Sequence, residues 1–292
     1  MKPDDNKTVK MIALEKRPDT GAALLRGIHS CYEAVNSAAA AYLIERYSDP
    51  GELVLDPNMG CGAALAEAVF LGRQACGIGG NPLEELIARV RLNPLTGDTL
   101  RAELTRFPEH ADSPRELKHS IDAIADGGIA NFYRVCVSEA MDAGSIGDFR
   151  AICAKNIGIL DTAYRDGRVS PDFQHYAHVT EIGLISADMI FFPYMARTRA
   201  AGDGSDALTL LWPEWKSGFR DETTYLDEVV RNFTELERVL RPGGHFCVIQ
   251  SADGDAALPF SFEDNFTRTQ TFALTCPGEN DLRVTVSEKI HK

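Results

Sequence analysis

A short glycine-rich loop between a predicted strand and a predicted helix is the clearest candidate for a binding site in this chain. The strand is the apolar run 53–55, which ends at Asp56 and Pro57, and the helix follows Gly60 and Gly62. Glycine lets the backbone turn tightly, so that bare N–H groups can come close to a ligand at the carboxyl end of the strand. The loop therefore predicts the floor of a nucleotide-sized pocket.

The elements around this loop predict a parallel sheet. A helix over 35–47 comes before the strand 53–56, and a helix over 63–72 follows the loop. A second strand over 75–79 and a second helix over 82–92 come next. Alternating strands and helices of this kind favour an α/β fold with a doubly wound parallel sheet.

The stretch from Ile28 to Leu95 resembles the amino-methylating DNA methyltransferases, the S-adenosylmethionine-dependent N4-cytosine/N6-adenine class. In that family one strand ends in Asp-Pro-Phe-x-Gly-x-Gly and the next in Gly-Ile-Asp-x-Asn-Pro. The chain has DPNMGCG at 56–62 and GIGGNP at 77–82. The resemblance implies a class I methyltransferase-like Rossmann sheet and S-adenosylmethionine as the cofactor. It also implies cofactor-binding roles for His29, Asp56, Pro57, Asn58, Gly60, Gly62, Gly79 and Asn81.

Four residues depart from the family pattern in this half. Asn58 stands where the family has an aromatic residue, and Ser30 and Tyr32 stand where prolines are expected after His29. Gly79 stands where the family has the acidic residue that holds the ribose hydroxyls. We therefore expect weaker cofactor affinity than in family members that keep the carboxylate.

The resemblance places the catalytic corner at Phe191, Phe192, Pro193 and Tyr194. The family has Asp, Asn or Ser, then Pro-Pro, then Tyr or Phe at these positions. The polar residue accepts a hydrogen bond from the target amino group, and the aromatic residue stacks on the flipped base. Pro193 and Tyr194 match, but Phe191 cannot accept the amino proton. Amino methylation of DNA is therefore expected to be absent or very low.

The chain divides into three predicted parts. Residues 1–96 are the N-terminal half of the methyltransferase-like domain with the glycine loop, and 97–180 are a mostly helical insertion. Residues 181–292 are the C-terminal half, which closes with an antiparallel hairpin. Further predicted elements are a polar, partly helical lead-in over 1–27, helices over 114–125, 131–141, 146–164 and 222–240, and strands over 182–185, 187–192, 245–249, 267–276 and 282–290.

Composition limits the partners and the compartment. The chain has 292 residues and a formal net charge of −13. Because affinity for DNA depends largely on Lys and Arg, this charge disfavours DNA as a partner without excluding it. A protein partner is possible. Seven cysteines without a Cys-x-x-Cys motif suggest a reducing compartment and no disulfide framework.

Localisation and metal binding follow from what the sequence lacks. No apolar run has the length of a membrane span, and the N-terminus has no signal-peptide core, so a cytoplasmic protein without membrane attachment is expected. His175 and His178, with Asp172 close by in the sequence, have no third ligand at clear spacing, so no metal site is predicted. Cys61 in the glycine loop is either an activated thiol or a small residue that the loop tolerates.

Three functions remain open at this stage. The first is an S-adenosylmethionine-dependent methyltransferase derived from the DNA amino-methylating family. The second is a non-catalytic methyltransferase-like subunit that serves an active partner, which the losses at Asn58, Gly79 and Phe191 favour. The third is a methyltransferase for a small molecule or peptide, which an apolar catalytic corner would suit.

Overall fold

The computed structural model describes residues 10–15, 17, 20–29, 37–78, 82–169, 177–179, 187–193, 233–234, 236–252, 265–276 and 281–290. The elements in chain order are β1 (Lys10–Ala13), α1 (Gly21–Leu25), α2 (Ser37–Tyr47), β2 (Leu53–Asp56), α3 (Ala63–Phe70), β3 (Gln74–Gly77), α4 (Pro82–Leu92), α5 (Gly97–Leu104), α6 (Pro114–Asp122), α7 (Gly127–Asp142), a 3₁₀ turn (Ile146–Asp148), α8 (Phe149–Arg165), β4 (Ala177–Val179), β5 (Ala187–Pro193), β6 (Leu240–Ser251), β7 (Phe266–Thr275) and β8 (Leu282–Lys289).

Within the described residues, eight strands form one sheet in the order β1-β7-β8-β6-β5-β2-β3-β4. Strand β8 pairs antiparallel with β6 and with β7. The other neighbouring strands pair in parallel. This arrangement confirms the predicted α/β class: a class I methyltransferase-like Rossmann sheet with an antiparallel pair at its C-terminal end.

Strand β2 is the point where the strand order reverses. It pairs with β3 on one side and with β5 on the other, both in parallel. The chain first builds β3 and β4 outward on one side, and it returns later to the other side of β2 as β5. In open α/β sheets, ligands bind in the crevice at the carboxyl ends of the strands at such a switch point.

Small residues allow the first helices to lie close to the sheet. Helix α3 has the sequence AALAEAVF, and its first seven residues are buried. In α2, the alanines at 39, 40 and 41 are fully buried. Helices α2 and α3 pack on each other, and α3 packs on β2 and β3. These contacts bury α3, the helix that follows the glycine loop, and so fix the position of the C-terminal end of the loop.

Helices α5 to α8 follow α4 and precede β4 in the chain. Their aromatic residues pack together: the ring of Phe107 lies 4.5 Å from that of Tyr133 and 5.2 Å from that of Phe149. These rings belong to the same hydrophobic core as the sheet residues. The insertion therefore shares its core with the sheet. The domain boundaries at 96/97 and 180/181 remain predictions.

Several elements differ from the sequence-based expectation. The lead-in contains a strand, β1, which pairs with β7 at the sheet edge. Helix α5 was not predicted. The range assigned to the helical insertion also includes β4, which has three residues and pairs with β3. Three residues are too few for an alternating pattern to be recognised.

In the second half of the chain, one strand begins earlier than the sequence predicts. Strand β6 begins at Leu240, whereas the sequence predicts a strand from His245. Its pairing with β5 is irregular between Ala187 and Met189, so the Pro-Gly-Gly sequence falls within the strand at a bulge. The predicted strand 182–185 and most of the predicted helix 222–240 lie outside the described residues, while 233–234 and 236–239 are helical.

The cysteines differ from expectation at one position. Cys76, Cys136, Cys153, Cys247 and Cys276 are buried and free. Cys61 forms a disulfide bond, which neither of the two sequence-based interpretations of this residue included. Cysteine pairing depends on distance in space, which the spacing along the chain does not reveal. Among the described helices, none is long and apolar enough to cross a membrane.

Candidate cofactor site

The glycine loop connects the carboxyl end of β2 to the start of α3 through two residues with positive φ. Gly60 has φ 48° and Gly62 has φ 80°. Among the residues that the structure describes, a Cβ atom at Gly60 would meet nothing within 4 Å, whereas one at Gly62 would lie 3.1 Å from the Cβ of Ala88. The two glycines therefore serve different purposes. Gly62 allows α4 to pack against the loop, and Gly60 leaves open space in front of it.

The end of β3 supports the loop from the side. The backbone N–H of Ile78 donates to the carbonyl of Asp56 at 3.0 Å, and the N–H of Met59 donates to the carbonyl of Ile78 at 3.3 Å. A Cβ atom at Gly77 would collide with the side chains of Leu65 and Met59. The two strand ends are thus in close contact, and the loop has a defined position at the sheet edge.

Asp56 is a buried carboxyl group at this edge. It is 3% exposed, and its Oδ1 accepts a hydrogen bond from the backbone N–H of Asn58 at 3.0 Å. Burial raises the pKa of Asp56 to about 7, against the opposing effect of that hydrogen bond. The carboxyl group therefore titrates near neutral pH, well above the usual range of an aspartate. A positive charge placed next to it would favour the ionised form.

The other predicted cofactor residues of this loop follow Asp56 directly. Pro57 and Asn58 form the turn and are partly buried. The first helical N–H groups of α3 follow Gly62, which provides no side-chain cap. Uncapped N–H groups at a helix start favour a negatively charged or hydroxyl group nearby. Gly79 and Asn81 lie outside the described residues.

His29 contacts the helical insertion through its ring. Its backbone has φ 59°, and the residue is 3% exposed. The Nε2 atom lies 3.3 Å from Oγ of Ser138 and 3.4 Å from Oδ2 of Asp142, both on α7. The backbone carbonyl of His29 is turned toward Arg91, which donates to it at 2.7 Å. A direct role of His29 in cofactor binding stays a prediction.

The predicted catalytic strand lies next to the glycine-loop strand. Strand β5 pairs with β2 in the register Val54 to Met189 and Leu55 to Ile190. The next positions along the two strands are Asp56 and Phe191, so the backbone ends of both strands meet at the same edge. Phe192 and Pro193 continue β5, and Tyr194 lies outside the described residues. The catalytic roles of these four residues stay predictions.

Arg91 is the residue of the site that sequence reasoning missed. It lies on α4 and is 2% exposed, and its guanidinium contacts the loop carbonyl of Cys61. The sequence feature that could have revealed Arg91 is its position: it follows the buried Ile87 by four residues and Ala88 by three, which places it on the same buried helix face. An arginine on the buried stripe of a helix needs acceptors in the interior.

A metal centre finds no support in the part of the chain that the structure describes. There, no group of three or more His, Cys, Asp or Glu side chains is placed to hold a metal ion. His175 and Asp172, which the sequence offers beside His178, lie outside the described residues.

Comparison with known proteins gives distant likenesses in structure alone. No protein-family model matches the chain, and no curated protein matches it in sequence. The rRNA methyltransferase aviRa from Streptomyces viridochromogenes is 13% identical, with a TM-score of 0.43 over 93% of this chain and 94% of that one. TrmN from Thermus thermophilus is 13% identical, with a TM-score of 0.42 over 91% of this chain and 52% of that one.

A SAM-dependent O-methyltransferase from Thermotoga maritima is 9% identical, with a TM-score of 0.40 over 94% of this chain and 72% of that one. All three TM-scores are below 0.5, so these likenesses carry no argument about activity. The fold assignment rests instead on the strand order and on the strand–loop–helix unit at the switch point.

Proposed function

We propose that this chain binds S-adenosylmethionine at the glycine loop and transfers its methyl group to an acceptor at the end of β5. The observation that carries the proposal is the loop at the switch point, where no described residue comes within 4 Å of a Cβ at Gly60 and the buried Asp56 ends the strand. The resemblance of residues 28–95 to the amino-methylating family supports this choice of ligand. Bound there, S-adenosylmethionine supplies a methyl group activated by a sulfonium charge.

The residues of the site suit a ligand of this charge pattern. The raised pKa of Asp56 shows a carboxyl group that would gain from a cation, and the ligand carries an ammonium and a sulfonium group. The uncapped start of α3 would favour the ligand's carboxylate or hydroxyl groups. With Gly79 in place of the expected acid, the ribose hydroxyls need another partner.

The acceptor follows from the end of β5. DNA amino groups are the default acceptor of the family that the chain resembles, but Phe191 has no oxygen or nitrogen to accept the amino hydrogen bond. The net charge of −13 also disfavours a polyanion. We therefore propose that DNA amino methylation is weak or lost. A small flat molecule or a peptide fits an apolar corner better.

A second candidate is a non-catalytic subunit that serves an active partner. The substitutions at Asn58, Gly79 and Phe191 favour it, because all three fall at positions where the family contacts cofactor or target base. The two candidates differ in turnover. A methyltransferase converts S-adenosylmethionine to S-adenosylhomocysteine in the presence of an acceptor, whereas a subunit without catalysis does not do so alone.

The test is calorimetric titration of S-adenosylmethionine into the wild-type protein and two variants. Gly60→Val places a branched side chain in the open space of the loop. Gly51→Val is the matched control, because Gly51 also has a positive φ, 88°, and a Cβ there would also meet no described residue within 4 Å. It precedes β2, at the end of the strand opposite the loop.

Both valines cost about 1–2 kcal/mol of backbone strain, so the two variants should lose similar stability. We expect measurable binding to wild type and to Gly51→Val, and at least about a tenfold loss of affinity in Gly60→Val from the blocked space. No binding to the wild type, or equal affinity in all three proteins, would contradict the proposal.

A further inference from the structure

Helix α4 contacts the glycine loop through Ala88 and Arg91. The Cβ of Ala88 would lie 3.1 Å from a Cβ at Gly62, so α4 packs directly against the loop backbone because Gly62 has no side chain. One turn further along the same face, Nη1 of Arg91 donates to the carbonyl of Cys61 at 3.2 Å. The first contact fixes the distance between α4 and the loop. The second fixes the direction of a peptide unit between Gly60 and Gly62.

The same guanidinium also holds the segment that leads to His29. Nε donates to the carbonyl of Ile28 at 3.1 Å. Nη2 donates to the carbonyl of His29 at 2.7 Å and to that of Arg26 at 2.9 Å. One planar group therefore connects two stretches of chain that are about thirty residues apart, and its four acceptors among the described residues are backbone carbonyls.

The burial of Arg91 makes these four hydrogen bonds necessary. The residue is 2% exposed, and a buried guanidinium without acceptors would carry a large desolvation cost. Arginine presents five donors in a rigid plane, so it can bond to several carbonyls in fixed directions at once. A lysine retains the charge, but its single nitrogen cannot span the same acceptors.

We propose that Arg91 is a positioning residue that clamps the His29 segment to the glycine loop and holds the loop in its ligand-binding form. The proposal rests on the proposed cofactor site. Arg91 acts on the ligand through the backbone at Cys61. Loss of the clamp lets the loop and the segment 26–29 move independently, and the open space at Gly60 loses its defined shape.

The test compares Arg91→Lys with Arg89→Lys. Arg89 lies two residues earlier on the same helix, is exposed, and forms an ion pair with Glu85 at 2.6 Å. Amide hydrogen exchange is measured on both variants and on wild type without ligand. All samples contain a reducing agent, so that the disulfide at Cys61 does not hold the loop.

The expected result is faster exchange in Arg91→Lys within 22–29 and 57–66, with unchanged exchange in β7 and β8. A purely structural role would instead accelerate exchange throughout the protein. S-adenosylmethionine affinity, measured well below the unfolding temperature, should fall about tenfold or more in Arg91→Lys and stay unchanged in Arg89→Lys. A complete loss of folded protein in Arg91→Lys would be a global effect and would overturn the proposal.

Two outcomes separate this inference from the proposed function. If wild type binds S-adenosylmethionine and Arg91→Lys binds it equally well, the clamp is wrong and the cofactor site stands. If wild type does not bind, the proposed function fails, and the exchange data alone decide the clamp. Local acceleration at 22–29 and 57–66 then supports it, and unchanged exchange there overturns it.

Discussion

Replacing Asp56 by Asn tests the electrostatics of the site with the smallest change in shape. Burial raises the pKa of this carboxyl from its ordinary 3.8 to about 7. Because the folded-state pKa lies above the unfolded one, the folded protein binds the proton more tightly. The resulting stabilisation is fully present below pH 4 and is lost as the pH rises to 7. Between pH 4 and pH 7, the difference of about three pKa units between the folded and unfolded states corresponds to about 4 kcal/mol of unfolding free energy.

Asparagine does not titrate, so Asp56→Asn should remove this pH dependence. Relative to the variant, wild type should lose about 2 kcal/mol of unfolding free energy between pH 5 and pH 7 and little more above pH 8. Urea unfolding of both proteins at pH 5, 6, 7 and 8 measures the difference. Parallel profiles for the two proteins would refute the assignment of a buried carboxyl group with a raised pKa at this position.

The same carboxyl group should couple cofactor affinity to pH. A cationic ligand favours ionised Asp56, and about ten times more of the apo protein has it ionised at pH 8 than at pH 6. Affinity for S-adenosylmethionine should therefore rise about tenfold across this range in wild type, beyond any rise in Asp56→Asn. The variant corrects for the ligand's own amino group, which titrates nearby. Identical pH profiles in both proteins would place the ligand's positive charges away from Asp56.

Three other outcomes are expected. Gly79→Asp should tighten S-adenosylmethionine binding by about 1.5–3 kcal/mol, because a carboxylate can accept hydrogen bonds from the ribose hydroxyls. Equal or weaker binding in calorimetry would mean that the ribose is held elsewhere. Alkylation in denaturant should leave the Cys61 peptide unlabelled until a reductant is added, because Cys61 forms a disulfide, and labelling without reductant would contradict that bond. An assay of labelled methyl transfer to unmethylated genomic DNA should yield no N4-methylcytosine or N6-methyladenine at turnover. The reason is that the transition-state hydrogen bond missing at Phe191 costs about 10²–10³ in rate. Clear turnover would restore the plain DNA methyltransferase interpretation.

The elements around the glycine loop were predictable because their signals are local. The predicted bounds of β2 and α4 agree with the observed ones, 53–56 and 82–92. In both cases a short apolar pattern is limited by Pro, Gly or Asn, which set the backbone conformation directly. The C-terminal pair β7 and β8 was recognised for the same reason, as two strand patterns around a Pro-Gly turn sequence.

The features that the sequence did not reveal depend on contacts between distant residues. Strand β4 is identified by its pairing with β3, and its three residues carry no periodicity of their own. The disulfide at Cys61 and the carbonyl acceptors of Arg91 also depend on segments that meet only in the folded chain. Backbone carbonyls have no sequence signature. The sequence could therefore show only that Arg91 stands at an apolar position of its helix, and not which groups it binds.

The central claim is that the cofactor binds at the carboxyl end of β2. It is tested most directly by hydrogen exchange of the wild-type protein with and without saturating S-adenosylhomocysteine, the product that remains after methyl transfer. The account predicts slower exchange over residues 56–66, which contain the loop and the start of α3. Protection confined to other peptides, such as those of α5 to α8, or no protection at all, would contradict it.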